Sequence, residues 1–227
     1  MLGRFLELSL VVPDSGTAWQ RWMELGFAPG EAGDIWPHAY GALACEGLAI
    51  GLHAAGDEPV AISFVRPEVA TLERALADRL IGIDRAQVDA EAFNLLELRE
   101  PGGALLRVLE TRTFSPPAEL PARTELGVFR ALSLSCPDLA EARGFWERLD
   151  LEVREQEEPW PSLAIDTLPL ACHESHDFRQ PLLIFDGSGQ PEGAAGLPFS
   201  TLPALRGRPH RLLRTPEGVG LLELGPA

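Results

Sequence analysis

The chain has no lysine. All 19 basic residues are arginine, set against 34 acidic ones, so imine-forming chemistry and a lysine general base are both excluded. Cysteine is scarce too: Cys45, Cys136 and Cys172 form an odd set without paired spacing. That argues against a disulfide framework or a cysteine zinc site and leaves buried free thiols as the expectation. No apolar run approaches the ~20 residues that a membrane-crossing helix needs, so no membrane partner is expected. The opening Met1-Leu2-Gly3-Arg4 has neither the charged start nor the long apolar core of a secretory signal, and a cytoplasmic location is expected. The formal net charge of −15 repels phosphate backbones, which argues against nucleic acid as the partner. What remains is a globular composition, 45% hydrophobic and 23% charged, in 227 residues. That length suits two compact domains of about 110 residues each.

An internal repeat gives the organisation. LSLVVPD at 8–14 returns as LSLSCPD at 132–138, and the same offset carries Trp22 onto Trp146 and Trp36-Pro37 onto Trp160-Pro161. GLAIGLH, ending at His53, matches TLPLACH, ending at His173, and LREPGGALL at 98–106 matches LRTPEGVGL at 213–221. The expected division is an N-terminal domain 1–112, a proline-rich linker 113–127 and a C-terminal domain 128–227. Each half divides again. Strand Phe5–Val12, helix Ser15–Leu25 and strands Tyr40–Cys45 and Leu48–His53 are followed by strand Val60–Val65, helix Glu68–Leu80 and strands Phe93–Leu98 and Ala104–Glu110. Asp14 with Ser15 supplies N-capping oxygens, and Val69, Leu72, Leu76 and Leu80 keep a helical apolar spacing. In the last unit Pro181–Phe185 reads as a strand, while only Leu202–Leu205 hints at a helix. The fold class read from this pattern is α+β, a tandem repeat of paired βαβββ modules, four in one chain.

Alternation assigns faces. Leu6, Leu8, Leu10 and Val12 share an apolar face suited to a helix, with Glu7 and Ser9 on the other. Leu48, Ile50 and Leu52 leave Ala49, Gly51 and His53 on that second face. Trp19, Trp22 and Trp146 have helical spacing and read as core.

Pro13-Asp14 before a helix with Trp22 and Leu25-Gly26-Phe27, its repeat at Pro137-Asp138, Phe145-Trp146 and Leu149, and the turns Glu100-Pro101-Gly102-Gly103 and Thr215-Pro216-Glu217-Gly218 together resemble the vicinal oxygen chelate superfamily. That superfamily includes glyoxalase I, bleomycin and fosfomycin resistance proteins and extradiol dioxygenases. The resemblance implies a glyoxalase-like fold in which paired modules curl their strands around a cleft, with helices on the back. It also implies a divalent metal held by strands one, four, five and eight of a domain. Those positions fall on Glu7, near Gly51, on Ala61 or Ser63, and on Arg107, of which only Glu7 is a competent ligand. In the second half they are Ala131, about Ala171, Leu183 or nearby, and Leu222, with Glu223 one residue out of phase. No metal and no other cofactor is therefore expected.

Convergence on one point pairs Glu7 with Arg107, either as a clamp for a ligand oxyanion or as a buried salt bridge. His53 and His173 stand at equivalent places, and His53 with Arg107 is the candidate catalytic pair. Glu7, Ser9, Trp36, Ser63, Trp160 and His173 are the candidate ligand-binding residues, Trp36 and Trp160 as stacking surfaces at the cleft mouths. The expected function is a metal-free small-molecule-binding protein of the glyoxalase and bleomycin-resistance type. Its ligand would be an apolar or aromatic compound, with an anionic group as an option. One alternative is a divergent lyase or isomerase with His53 as base and Arg107 as electrophile; another is a metal-dependent enzyme of the glyoxalase or dioxygenase type. A monomer or homodimer suffices, and the N-terminal half is expected to carry the function.

Overall fold

The alternation that begins the chain becomes β1 (Arg4–Val11) in the computed structural model, which describes residues 1–30, 36, 38, 40–89, 94–111, 120–157, 160–174, 178–187, 199–205 and 207–226. Leu8, Leu10 and Val12 are buried on the expected side. Leu6 departs from that side. A β-bulge between Phe5 and Glu7 turns Phe5 to the core, where it meets Phe64 edge-on at 6.2 Å, and leaves Leu6 half-buried. The bulge is local, and Glu7 and Ser9 keep the opposite face.

Asp14 caps the next element by accepting from the backbone N–H of Gly16 at 2.9 Å and of Thr17 at 3.1 Å, which starts α1 (Ser15–Glu24). Ser15 is the first helical residue and takes no part in the cap. Trp22 is fully buried, as is Trp146 in the repeat, whereas Trp19 is half-buried under Gly41, where any Cβ would come within 2.8 Å of the indole. The first unit continues through β2 (Ala28–Pro29), β3 (Tyr40–Cys45) and β4 (Leu48–His53). The second comprises β5 (Val60–Arg66), α2 (Val69–Asp78), β6 (Arg85–Gln87), β7 (Leu95–Arg99) and β8 (Leu105–Glu110). The expected helix and strand ends hold to within about two residues, and Phe93 lies outside the described residues. β2 and β6, two and three residues long, are too short to show a period.

The second half repeats the plan with β9 (Val128–Cys136), α3 (Leu139–Arg148), β10 (Val153–Gln156), β11 (Ser162–Ile165) and β12 (Leu170–Glu174). β13 (Leu182–Asp186), β14 (Phe199–Ser200), β15 (His210–Arg214) and β16 (Gly220–Leu224) follow. The hint of helix at Leu202–Leu205 is a single 3-10 turn, Pro203–Leu205, placed after β14.

Two eight-stranded sheets result, with orders β2-β3-β4-β1-β5-β8-β7-β6 and β10-β11-β12-β9-β13-β16-β15-β14. In each, an antiparallel pair, β1 with β5 or β9 with β13, forms the centre, and each central strand has a parallel neighbour outside it. This order leaves one face of each sheet to the helices and curls the other into a cleft.

The helix-side faces of both sheets share one apolar core. It runs from Leu2 and Leu8 through Trp22, Phe27 and Leu76 to Leu134, Trp146, Phe185 and Leu221. Phe27 of the first half meets Phe185 of the second edge-on at 6.3 Å. Leu126, at the end of the expected linker, is buried in the same core, and the neighbouring Glu125 N–H donates to the Leu25 carbonyl at 3.0 Å. Residues 113–119 of the linker lie outside the described residues. The three cysteines are buried and free, their thiol pKa values pushed up by burial.

Candidate functional site

Along β1 the residues off the core side are small or polar, and the sheet order sets β5 and then β8 beside them. Glu7 faces Ser63 across the β1–β5 ladder, and Ser63 faces Arg107 across β5–β8. On the other side Val11 stands opposite His53. The register therefore carries Glu7, Ser9, Ser63, His53 and Arg107 onto one concave face, as the alternation predicts.

Glu7 and His53 are both buried, at 4% and 2% exposure. Glu7 Oε1 accepts from the Ser9 hydroxyl at 2.7 Å and lies 2.7 Å from His53 Nε2. Ser9 in turn is 2.8 Å from the Ser63 hydroxyl. Gly51 makes room for this arrangement, because a Cβ there would overlap the Glu7 carboxylate. His53 is held by two aromatic rings and at both nitrogens. Tyr40 stacks on it with planes 4° apart, Trp36 meets it edge-on at 4.6 Å, and its Nδ1 is 2.9 Å from His38 Nε2.

Arg107 does not engage Glu7 as expected. Its Nε donates at 2.7 Å to Glu97, the residue facing it across β7 and β8. Glu7 already has Ser9 and His53, so the cross-strand carboxylate is the nearer partner for the guanidinium. Arg107 also lies over Trp36, 5.5 Å from the ring centroid, in cation–π geometry.

These side chains line an open cavity of about 500 Å³. Ser9, Trp36, His38, His53, Glu97 and Arg107 form much of its wall, with Arg85, Asp57 and Glu58 toward the rim. Arg85 stands 3.7 Å from Asp57 and 4.0 Å from Glu97. The His38 pKa is lowered, by desolvation first and then by the charges of His53 and Arg107, with Glu7 opposing.

The matching face of the second sheet is filled across β13, β16 and β15, and the opening that is left, about 230 Å³, lies beside Ala131, Ala164 and Ala171. There Ala131 replaces Glu7, Ile184 replaces Ser63, Leu222 replaces Arg107 and Leu212 replaces Glu97. The residue opposite Ala131 is Ile184, in the expected place at Leu183 or nearby, and a bulge in β9 follows it. Leu182, Ile184, Leu212, Leu222 and Leu224 pack with Phe178, Leu202 and Leu205, and Trp160 lies against them. The protein's own side chains occupy this part of the cleft. Trp160 meets His173 edge-on at 5.9 Å, so of the two tryptophans only Trp36 borders open space of this size. His173 is 2.8 Å from the Ser133 hydroxyl and 3.2 Å from the Phe178 carbonyl, and burial lowers its pKa to about 4. Glu223 points to the other face, in a buried ion pair with Arg211.

The residues present do not suit a divalent metal. The four converging positions hold Glu7, Gly51, Ser63 and Arg107, a donor set with one carboxylate, already committed to hydrogen bonds, and a fixed cation. Among the described residues no group of three or more His, Cys, Asp or Glu side chains is placed to hold a metal ion.

Sequence reasoning missed His38 and Glu97. For Glu97 a signal was available: buried Leu96 and Leu98 flank it on β7, which turns it toward the cleft.

No protein-family model and no curated protein matches the chain. Solved structures do. Catechol 2,3-dioxygenase is similar at 18% identity and a TM-score of 0.56, over 99% of this chain and 94% of that one. The 2,3-dioxygenase LapB from Pseudomonas sp. KL28 is similar at 15% identity and 0.57, over 97% and 91%. A substrate complex of homoprotocatechuate 2,3-dioxygenase from Brevibacterium fuscum gives 12% identity and 0.59, over 97% and 80%. The fold is thus that of the extradiol dioxygenases, the vicinal oxygen chelate fold, over nearly the whole chain. Among the described residues no helix is long and apolar enough to cross a membrane.

Proposed function

We propose that this chain is a metal-free small-molecule-binding protein whose ligand occupies the cleft of the first sheet. The observation that carries this reading is the contrast between the two concave faces. One is an open cavity of about 500 Å³ edged by an indole, an imidazole and an arginine; the other is packed with leucine, isoleucine and phenylalanine. A cavity of that volume accepts a compound of about one or two rings. Trp36 offers a stacking face, and Arg107 offers a planar fork to a carboxylate or other oxyanion. The ligand class is therefore a planar compound with an anionic or anion-forming group. The C-terminal half serves as support.

A screen of planar aromatic acids by thermal shift, with hits measured by calorimetry, tests the reading, because a ligand that binds only the folded state raises the melting temperature. Hits are expected to be lost in Arg107→Leu. Hits that bind this variant unchanged would place the ligand elsewhere.

A further inference from the structure

We propose that His38 is the proton acceptor of this cleft, with His53 and Glu7 as the positioning residues behind it. The matching ligand class is a planar weak acid that becomes a delocalised oxyanion on losing one proton. The proposal rests on the reading of the cleft as an open ligand site.

Hydrogen-bond logic fixes where each proton sits. A carboxylate only accepts, and Glu7 Oε1 already takes the Ser9 hydroxyl, so at 2.7 Å it takes the Nε2 proton of His53 as well. Neutral His53 then presents a lone pair on Nδ1. His38 Nε2, 2.9 Å away, fills it by donating its own proton. The nitrogen left over is His38 Nδ1, a lone pair without a bond to any described residue, on a side chain that lines the cavity. Tyr40 stacked on His53 and Trp36 against its edge prevent the ring from turning over to exchange its nitrogens.

The step balances without oxidant or metal. The ligand's X–H bond breaks and an N–H bond forms at His38 Nδ1, while the electron pair stays on X, beside Arg107. His38 then carries both ring protons as an imidazolium, with its Nε2–H still donated to His53 Nδ1, and the Glu7 carboxylate behind His53 balances the charge. Arg107 from β8, Glu7 from β1 and His53 from β4 are the charged and titratable groups that act on His38, and Arg85, Glu97, Asp57 and Glu58 complete the wall. Burial and the Arg107 cation favour neutral His38, which is the form able to accept.

The second half has no such arrangement. Its Trp160-Pro161 runs straight into Ser162, which faces His173, whereas Trp36-Pro37 is followed by two extra residues, His38 and Ala39, before Tyr40 faces His53. His38 belongs to that insertion.

Two measurements on the intact chain test the proposal. Nitrogen NMR of the imidazoles in ligand-free protein is expected to show both His53 and His38 protonated on Nε2. A proton on His53 Nδ1 would overturn the proposal. Separately, para-nitrophenol, whose ionised form absorbs visible light, is expected to be bound ionised at a pH where the free probe is mostly protonated. Ionisation should be lost in His38→Gln, fall in Glu7→Gln and return in part in Glu7→Asp. The neutral para-nitroanisole should bind wild type and His38→Gln alike. If both probes bind and the phenol stays protonated, the proton acceptor is wrong and the ligand site stands. If neither binds, the ligand-site reading falls and takes the ligand class with it.

Discussion

His53 and His173 stand at matching places, each beside its sheet's first strand, yet His53 Nε2 meets a carboxylate at 2.7 Å where His173 Nδ1 meets a serine hydroxyl at 2.8 Å. The difference follows from one exchange, Glu7 against Ala131, on the strand between. It sets an imidazole bonded to a carboxylate against one that burial keeps neutral.

The neutral one makes stability depend on pH. The folded-state pKa of His173, about 4, lies below the ordinary histidine value of about 6.5, so the unfolded chain binds the proton more readily. Stability is full above the unfolded value, declines as pH falls through the window between the two, and levels off below it. The size of the effect is on the order of 3 kcal/mol. Urea midpoints at neutral pH and near the bottom of the window should differ less in His173→Gln than in wild type. Equal losses in both would show that other groups drive the acid sensitivity.

Gly51 and Glu7 should behave as a coupled pair. A Cβ at Gly51 overlaps the Glu7 carboxylate, whereas the second sheet carries Ala171 at the Gly51 place and Ala131 at the Glu7 place without conflict. Gly51→Ala should destabilise the wild type by about 1–3 kcal/mol, as overpacking does. In a Glu7→Ala background the same change should cost much less. A double-mutant cycle with no coupling between the two would mean that Glu7 moves aside freely.

Purified protein is expected to contain no stoichiometric divalent metal, since a catalytic site draws on about three protein ligands and the converging positions here supply one. Elemental analysis that finds zinc, iron, nickel or manganese at one per chain would overturn this.

The two clefts should respond oppositely to truncation. Arg107→Leu removes the cation that faces the cavity and should abolish binding of an anionic ligand, a loss of about 2 kcal/mol or more. Leu222→Ala, at the matching place in the filled cleft, should cost about 2–5 kcal/mol of stability and leave ligand affinity unchanged. The reverse pattern by calorimetry and denaturation would assign the ligand to the C-terminal half.

Much of this site was legible because strands carry it. Glu7, Ser9, His53, Ser63 and Arg107 fall on one face by alternation alone, and the repeat set Ala131 and Leu222 against them. Where alternation slips, so did the reading. The bulge at Phe5/Glu7 exchanged Leu6 for Phe5. Arg107 found Glu97 because cross-strand pairing decides partners, and pairing of β7 with β8 is a fact of register that faces alone do not give. His38 lies before β3, in a segment without a period. The unequal spacing from the Trp-Pro pairs to the two histidines was the trace it left.

The shared core has a consequence for how this molecule comes apart. With Phe27 against Phe185 and Leu126 buried between the sheets, neither half owns a complete interior. Cutting the chain between them would leave each fragment with a bare apolar wall in water, a surface of the kind that drives aggregation. Melting should therefore be one cooperative event. The second sheet, its own cleft stopped with leucine, earns its place as the other wall of the house.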